Sequence, residues 1–228
     1  MKRSDGREPV ITIDGPAGAG KSTVAEELAR RLGFRRIDTG ALYRALAWAV
    51  RAEGLLPEDG PALRDLLART RVALSEGRLL VDGRDVTGAL RTPEMSELTS
   101  QLTRLAPVRD KMTPLQRELA AGGGAVLEGR DTGSVVCPDA DVKFYLDADL
   151  ETRARRRQAD LRAQGARVDL DAVERDLARR DRQDMERPIA PLRRPEGAIV
   201  VDTSGRALDD VVDDMLRTVE RVCCCIGR

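Results

Sequence analysis

The sequence predicts an α/β protein in which a parallel sheet is flanked by helices, and three observations support this fold class. Short β-branched apolar runs alternate with helical patterns over the 228 residues, as expected for strands joined by crossover helices. A glycine-rich loop separates the first predicted strand, at 10–13, from the first helix. Short alternating runs at 71–90, with hairpin turns predicted at Glu76-Gly77 and at Asp82-Gly83, break this order and indicate a small antiparallel insertion.

The glycine-rich loop is the most specific motif of the chain. Residues 15–22, GPAGAGKS, fit the pattern G-x-x-x-x-G-K-[ST] of a phosphate-binding loop. The motif requires a strand before it and a helix after it, and Val24 and Leu28 repeat at helical spacing directly behind it. We therefore expect Lys21 to reach the β- and γ-phosphates of a nucleoside triphosphate, and the Ser22 hydroxyl to bind Mg²⁺. The alternative is a turn without a ligand.

The first half of the chain carries alternating strand and helix signals. Thr92, Pro93 and Glu94 are typical of a helix start, because they supply a cap, a first-turn proline and an acidic residue. Pro114 predicts a kink or a break in a helical pattern. The predicted elements are a helix from residue 21 ended by Gly33, a strand at 34–39, a turn at Thr39 and Gly40, helices at 41–53 and 61–69, the antiparallel segment at 71–90, a helix from 92 to about 105, and a mostly helical stretch at 107–121.

The second half of the chain repeats the strand and helix signals. Three glycines at 122–124 precede a short apolar run, and Gly165 separates two very polar helical patterns. The predicted elements are strands at 125–128, 142–146 and 198–201, and helices at 149–164, 170–187 and 208–222.

Composition excludes several classes of protein. The 39 basic and 39 acidic residues balance, which argues against a general binder of nucleic acid or of membrane surfaces. No apolar run approaches the roughly 20 residues that cross a bilayer. The first nine residues lack the apolar segment of a secretory signal. A cytoplasmic protein is therefore expected.

The cysteines give no sign of a metal site. Cys137 stands alone, Cys223, Cys224 and Cys225 are consecutive, and the chain has no histidine. Adjacent cysteines do not match the spacing of zinc ligands, and the last residues fit a prenylation signal poorly. We expect a reduced protein with a thiol-rich tail of no defined role.

Four polar clusters follow strand ends or lie on adjoining helices, where ligands bind in such a sheet. Arginine suits phosphoryl transfer, because the transition state spreads negative charge over three oxygens and a guanidinium pairs with two oxygens at once. The clusters are Asp38–Thr39–Gly40 with Tyr43 and Arg44, Gly129–Arg130–Asp131, the arginines at 153–157, and the stretch from Arg180 to Arg187.

Each cluster also has a purely structural explanation. Asp14 can likewise be either a turn residue at the end of the first strand or a group near the metal. For the clusters, the alternatives are a solvated helix face at 153–157, a local ion pair between Asp131 and Arg130, and surface ion pairs such as Asp176 with Arg180 on the 170–187 helix.

Several stretches taken together resemble the bacterial cytidylate (CMP) kinases over residues 9–220. Any one of them is modest, but all of them in order are highly specific. The matching stretches are ITIDGPAGAGKS at 11–22, DTGALYR at 38–44, LRTPE at 90–94, Ser100-Gln101, PVR at 107–109, the GRDTGSVV segment with the proline at 138, and RDRQDMERPIAPL at 180–192.

The resemblance implies a P-loop nucleoside monophosphate kinase fold, with a parallel sheet flanked by helices, a small antiparallel insertion and a helical lid. It implies one kinase domain with a core at 9–38, 106–150 and 196–222, a monophosphate-binding region at 39–105 and an arginine-bearing lid at 151–187. It further implies ATP as phosphoryl donor, Mg²⁺, a CMP or dCMP acceptor, a role in pyrimidine nucleotide metabolism, and a monomer that binds no nucleic-acid polymer and no membrane. The alternative is the same chemistry on another small acceptor such as UMP.

The resemblance also implies roles for individual residues. Catalytic residues would be Lys21, Arg130, Arg153, Arg157 and Arg187. ATP would be bound by Gly15, Pro16, Ala17, Gly18, Ala19, Gly20, Lys21, Ser22, Thr23 and Arg156, and Mg²⁺ by Ser22. The monophosphate would be bound by Thr39, Arg44, Ser100, Arg109, Arg130, Asp131, Arg180, Asp184 and Arg187.

Within that set, Asp131 would accept a hydrogen bond from the exocyclic amine of cytosine, as carboxylates do when they recognise this base. Uracil presents an oxygen at that position, so the same carboxylate would disfavour it. The chain departs from the family pattern at Glu128, where aspartate is usual, at Thr39, where serine is common, and at Met185. The first departure bears on an outer-sphere magnesium role for that carboxylate.

Overall fold

The computed structural model describes residues 6–75, 77–163 and 165–225, without the side chains of Cys224 and Cys225. In chain order its strands are β1 (Val10–Asp14), β2 (Arg35–Asp38), β3 (Val72–Ser75), β4 (Arg78–Val81), β5 (Arg84–Asp85), β6 (Ala125–Glu128), β7 (Val142–Asp147) and β8 (Ile199–Asp202). Its helices are α1 (Lys21–Leu32), α2 (Thr39–Ala52), α3 (Pro61–Arg69), α4 (Pro93–Leu102), α5 (Ala106–Ala121), α6 (Leu150–Ala163), α7 (Leu170–Glu186) and α8 (Leu208–Cys225).

The chain divides into two units. One combines the residues up to Ile37 with those from Leu119 onward, and the other is Asp38–Glu118. The first unit carries the larger sheet, and the second carries the antiparallel strands. The domain boundaries inferred from the resemblance remain a prediction.

The larger sheet places β1 at its centre. Its described strands lie in the order β2-β6-β1-β7-β8, and β1 pairs in parallel with both β6 and β7. Strand β8 extends the sheet by pairing in parallel with β7. The chain leaves β1 toward β2 on one side and leaves β7 toward β8 on the other, so the β1–β7 boundary is the switch point at which α/β sheets bind ligands. The predicted fold class is confirmed.

Helices α1 and α8 cover one face of this sheet. Ile11, Ile13 and Phe144 of the sheet are fully buried against a cluster that includes Leu28 of α1 and Val212 of α8. The β-branched and leucine-rich composition of these segments explains the core, because the chain has few aromatic residues to pack. This packing fixes the position of the loop between β1 and α1.

The second unit contains the predicted antiparallel meander. Strand β4 pairs antiparallel with both β3 and β5. The turn between β4 and β5 places Asp82 and Gly83 at φ 50° and 81°, as a tight hairpin requires. Helix α2 packs against β3, β4 and α4. The hairpin predicted at Asp82-Gly83 is confirmed, whereas Glu76 of the other predicted turn lies outside the described residues.

Three predicted helix features are wrong. Helix α2 begins at Thr39 rather than after a turn there, because the Asp38 side chain caps it by accepting a hydrogen bond from the Ala41 N–H at 2.7 Å. Helix α4 ends at Leu102, before the predicted 105, and α5 starts at Ala106. Helix α5 also continues through Pro114, so of the predicted kink or break the break does not occur, and the kink remains a prediction.

The structure also bears on the consecutive cysteines and on the expectation that no segment crosses a membrane. Cys223, on α8, is buried in the core cluster, and the side chains of Cys224 and Cys225 lie outside the described part of the chain. Among the residues that the structure describes, no helix combines the length and the apolar character needed to cross a bilayer.

Candidate active site

The loop between β1 and α1 is shaped by close backbone approaches. At Gly15, a Cβ atom would lie 2.0 Å from the main-chain oxygen of Leu146 on β7. At Gly18, which has φ 78°, a Cβ atom would lie 3.0 Å from the Cβ atom of Arg153. Side chains at these two positions would therefore push the loop away from β7 and α6.

The main-chain N–H groups of residues 18–22 form an anion-binding surface. None of them donates a hydrogen bond to another residue in the described ranges. They precede or open α1, whose positive end adds to their attraction for a negative charge. Successive main-chain N–H groups of this kind suit the binding of phosphate oxygens.

Lys21 lies in the same loop with its side chain folded back on it. Its Nζ atom donates a hydrogen bond to the Pro16 carbonyl at 2.6 Å, and the side chain is buried. Burial lowers the pKa of Lys21 to about 7, and the positive charge of Arg130 acts in the same direction. The amine is therefore poised to gain positive charge when an anion arrives.

We predict that ATP binding takes up close to one proton at pH 8. Lys21 is mostly neutral at that pH in the free protein, whereas nearby triphosphate oxygens raise its pKa by favouring the charged form. Calorimetric titrations in buffers of different ionisation enthalpy measure the uptake directly. A Lys21→Met variant is the control and should take up no proton. A proton count near zero in both proteins would contradict the assignment of Lys21.

Ser22 and Glu128 form the second feature of the loop. The Ser22 hydroxyl donates a hydrogen bond to Glu128 Oε2 at 2.6 Å, and the Glu128 side chain is buried at the end of β6. The other carboxylate oxygen, Oε1, accepts a hydrogen bond from Arg36 Nε at 3.0 Å. The Glu128 side chain thus reaches from the end of β6 to the loop serine.

These oxygens fit a magnesium ion. Mg²⁺ prefers hard oxygen ligands and is commonly held by one or two protein groups together with substrate phosphates. The Ser22 hydroxyl and the Glu128 carboxylate supply such oxygens next to the anion-binding N–H groups. Among the described residues no group of three or more His, Cys, Asp or Glu side chains is arranged to hold a metal by itself.

Asp14 has a structural role at the end of β1. Its carboxylate accepts hydrogen bonds from the Thr132 N–H at 2.8 Å, the Thr132 hydroxyl at 2.8 Å and the Gly133 N–H at 2.7 Å. Burial raises the pKa of Asp14 in spite of these donors. Asp14 therefore anchors the start of a π-helical turn, Thr132–Val136, that the sequence did not predict.

Two ion pairs connect the end of β6 with α7. Arg130 Nε donates a hydrogen bond to Asp184 Oδ2 at 2.8 Å, and Arg187 donates one to Asp131 Oδ1 at 2.9 Å. Burial alone would raise the pKa of Asp184, but the hydrogen bond and charge of Arg130, together with the charges of Arg187 and Arg180, hold the pKa below its ordinary value. The suggested local pair of Asp131 with Arg130 is thus wrong.

Two arginines of α6, Arg153 and Arg156, are bound by protein groups outside that helix. Arg153 donates to the carbonyls of Ala148 at 3.0 Å and Ala17 at 3.1 Å, and it forms a buried pair with Asp181. Arg156 donates to the Thr203 carbonyl at 2.7 Å. These two side chains are held by protein groups, so the solvated-face interpretation is wrong for both.

Arg157 of α6 and Arg180 of α7 differ from Arg153 and Arg156. Neither has a hydrogen-bond or ion-pair partner among the described residues. Burial lowers the pKa of Arg180, and the positive charges of Arg130 and Arg157 act in the same direction. Two unpaired guanidinium groups that repel each other favour binding of an anion. The suggested partner of Arg180, Asp176, pairs with Arg179 instead.

The second unit carries the remaining four predicted substrate residues. Arg109 is buried, donates to the Thr103 carbonyl at 3.3 Å and lies 5.8 Å from the centre of the Tyr43 ring. Arg44 donates to Asp38 at 3.1 Å. Thr39 is buried in the first turn of α2, and Ser100 is partly exposed on α4.

Sequence reasoning missed two residues that support the loop. Asp181 accepts a hydrogen bond from the Ala17 N–H at 3.4 Å, and the Thr203 hydroxyl donates to the Ala19 carbonyl at 3.1 Å. Thr203 directly follows β8, and a polar residue at the end of a parallel strand is a usable signal. Asp181 lies within a run of charged residues that gave no such signal.

The fold and this loop define a P-loop protein of the nucleoside monophosphate kinase type. The sequence pattern described as "Cytidylate kinase" matches residues 11–221. The chain therefore belongs to the cytidylate kinase family.

Named relatives support this assignment over nearly the full length. A protein of Symbiobacterium thermophilum named "Cytidylate kinase" is 48% identical over 94% of this chain and 97% of its own length. One of the same name from Geobacter sulfurreducens is 45% identical over 94% of each chain. A "Bifunctional pantoate ligase/cytidylate kinase" of Synechococcus elongatus is 46% identical over 93% of this chain and 42% of its own length.

Solved structures share the fold at low sequence identity. An uncharacterized protein from Eubacterium ventriosum superposes with a TM-score of 0.54 at 12% identity, over 94% of this chain and 99% of that one. A Thermus thermophilus protein superposes with a TM-score of 0.51 at 20% identity, over 94% and 97% of the two chains.

Proposed function

We propose that this protein transfers the γ-phosphoryl group of ATP to CMP or dCMP and releases ADP with CDP or dCDP. An oxygen of the monophosphate forms a bond to the γ-phosphorus while the bond from that phosphorus to the β–γ bridging oxygen breaks. The observation that supports this most directly is the intact phosphate loop, with Lys21 and with main-chain N–H groups that donate to no other described residue, in a member of the cytidylate kinase family.

The loop binds the donor in this proposal. The N–H groups of 18–22 and the Lys21 amine surround the β- and γ-phosphates, and their positions are fixed before the reaction starts. The acceptor phosphate is already ionised near neutral pH, so no side chain has to remove a proton from it. Positioning and positive charge therefore account for most of the catalysis.

Magnesium is proposed as the metal. Ser22 would hold it through its hydroxyl, with the Glu128 carboxylate beside it. When bound, the ion neutralises charge on the transferred group and on the departing diphosphate. Arg36, which donates to Glu128, keeps that carboxylate aligned with the serine.

The acceptor site is proposed from the resemblance and from the side chains found in each unit. In the first unit, Arg130, Asp131, Asp184 and Arg187 form three ion pairs, and Arg180 has no such partner among the described residues. Such a set can hold a phosphate and a base edge. The resemblance also implies four monophosphate-binding residues in the second unit, and these remain a prediction: Thr39, Arg44, Ser100 and Arg109.

The observed contacts support a catalytic role for Arg157 better than for Arg153. Arg157 has no protein partner among the described residues, which suits a side chain that contacts the transferred phosphoryl group. Arg153 is held by protein groups, which suits a supporting role better. A lid at 151–187 that closes over ATP, a monomeric state and a cytoplasmic location are further parts of the proposal.

The product analysis tests the proposal. With ATP, CMP and Mg²⁺, we expect CDP and ADP to form in equal amounts, as measured by ion-exchange chromatography. A reaction without CMP controls for hydrolysis of ATP and should yield little ADP. ADP release without CDP, or no turnover at all, would contradict the proposal. No observation favours UMP as the acceptor.

A further inference from the structure

A buried ion pair on the two polar helices holds the phosphate loop at Ala17. Arg153 of α6 and Asp181 of α7 form this pair, and both side chains are almost completely buried. Asp181 Oδ1 accepts a hydrogen bond from the Ala17 N–H at 3.4 Å, and Arg153 donates one to the Ala17 carbonyl at 3.1 Å. The pair thus engages both main-chain groups of one loop residue.

The apolar packing around the pair involves the same loop residue. The Ala17 side chain packs in a cluster with Ala154 of α6 and with Val173 and Leu177 of α7. Leu177 lies one helical turn before Asp181, and Ala154 directly follows Arg153. Polar and apolar contacts therefore attach the loop to both helices at one point.

This attachment also sets the positions of the unpaired arginines. Arg157 lies one turn after Arg153 on α6, and Arg180 directly precedes Asp181 on α7. Asp184, one turn further along α7, pairs with Arg130. A shift of the Arg153–Asp181 pair would move the loop and these cations relative to each other.

We propose that Asp181 and Arg153 are a positioning pair for phosphoryl transfer, which they support through the Ala17 main chain without contacting phosphate themselves. This inference rests on the proposed function and assigns Arg153 a role different from that of a lid arginine. Burial supports it, because a buried carboxylate and a buried guanidinium that satisfy each other are not available to a ligand. Misplacement by about 1 Å can cost on the order of 10²-fold in rate.

The test is a double-mutant cycle with Asp181→Asn, Arg153→Met and the double variant. We expect kcat for CDP formation to fall by about 10- to 100-fold in each single variant, with KM for ATP and CMP changed by less than about threefold. The double variant should be no slower than the slower single variant, because the two residues act as a unit. Independent losses that multiply in the double variant would overturn the proposal.

The matched control is the exposed pair Glu151–Arg155 on the same helix. Glu151→Gln and Arg155→Met should leave kcat within about twofold, because exposed ion pairs contribute little. If these control variants lost as much activity as the buried pair, the effect would belong to helix α6 in general and the proposal would be wrong.

Amide exchange of Ala17 in the nucleotide-free protein gives a second readout, independent of the reaction. In Asp181→Asn we expect this N–H to exchange at least about tenfold faster, with amides in the core of α7 unchanged. Faster exchange along all of α7 with unchanged kcat would show a merely structural role and overturn the proposal. If the wild-type protein made no CDP, the proposed function would fail, whereas this amide would still report on the pair.

Discussion

Lys21→Met should lower kcat for CDP formation by about 10³-fold, which is the loss expected when a preformed donor at a developing negative charge is removed. The Lys21 amine is buried beside the anion-binding N–H groups, and within the described part of the chain it donates a hydrogen bond only to the Pro16 carbonyl. Methionine keeps the length and the apolar stem of the side chain but removes the charge. Steady-state assays with saturating ATP and CMP measure the loss.

The same variant should remain fully folded. Burial lowers the pKa of Lys21 from 10.5 to about 7, so the unfolded chain binds more protons than the native one between these values. The free energy of unfolding of the wild-type protein therefore rises with pH over that window, and charging the buried amine near pH 7 costs stability. Methionine removes that cost. Thermal unfolding at pH 7 should show an unchanged or slightly higher Tm.

Lys143→Met is the matched control. Lys143 lies on β7 with its amine in an exposed contact to the Glu196 carbonyl. This variant should retain kcat within about twofold, as expected for surface substitutions. Retained turnover in Lys21→Met would contradict the proposed mechanism, and a large loss of Tm in that variant would show that Lys21 mainly holds the loop together.

Asp131→Asn has the second largest expected effect, and it acts on the acceptor. We expect KM for CMP to rise by on the order of 10²-fold and KM for ATP by less than about threefold. The asparagine keeps the shape of the side chain but replaces a charged acceptor of the cytosine amine with a neutral one. The ratio of kcat/KM for CMP to kcat/KM for UMP should also fall in this variant.

Because Asp131 pairs with Arg187, asparagine is a more suitable substitution than alanine. Asparagine leaves an oxygen for the Arg187 guanidinium, whereas alanine would leave that buried charge without this partner and could cost several kcal/mol of stability. Asp160→Asn, on the exposed face of α6, is the control and should leave both KM values unchanged. Equal increases in KM for ATP and CMP would contradict the assignment of Asp131 as a residue that binds the base.

The sequence predicted the loop and the main strands well because their signals are local. The glycines, Lys21 and Ser22 are adjacent in the chain, and the strand before them is a continuous apolar run. Helix boundaries were harder to place. Asp38 ends β2 and also caps α2, so no turn separates the two, and one helix accommodates Pro114 without ending.

The contacts of the charged residues could not be predicted in the same way. Arg153 and Asp181 are 28 residues apart on different helices, and the surrounding segments are rich in both charges. Many pairings satisfy such a composition equally well, and only the packing of α6 against α7 selects one of them. The same holds for Arg187, whose partner Asp131 is 56 residues away.

The measurement that bears most directly on the central claim is kcat/KM for CDP formation compared with that for UDP formation, with ATP and Mg²⁺ in excess. If the carboxylate of Asp131 recognises the exocyclic amine of the acceptor, kcat/KM for CMP should exceed that for UMP by on the order of 10³-fold. Equal values for the two monophosphates would contradict the account.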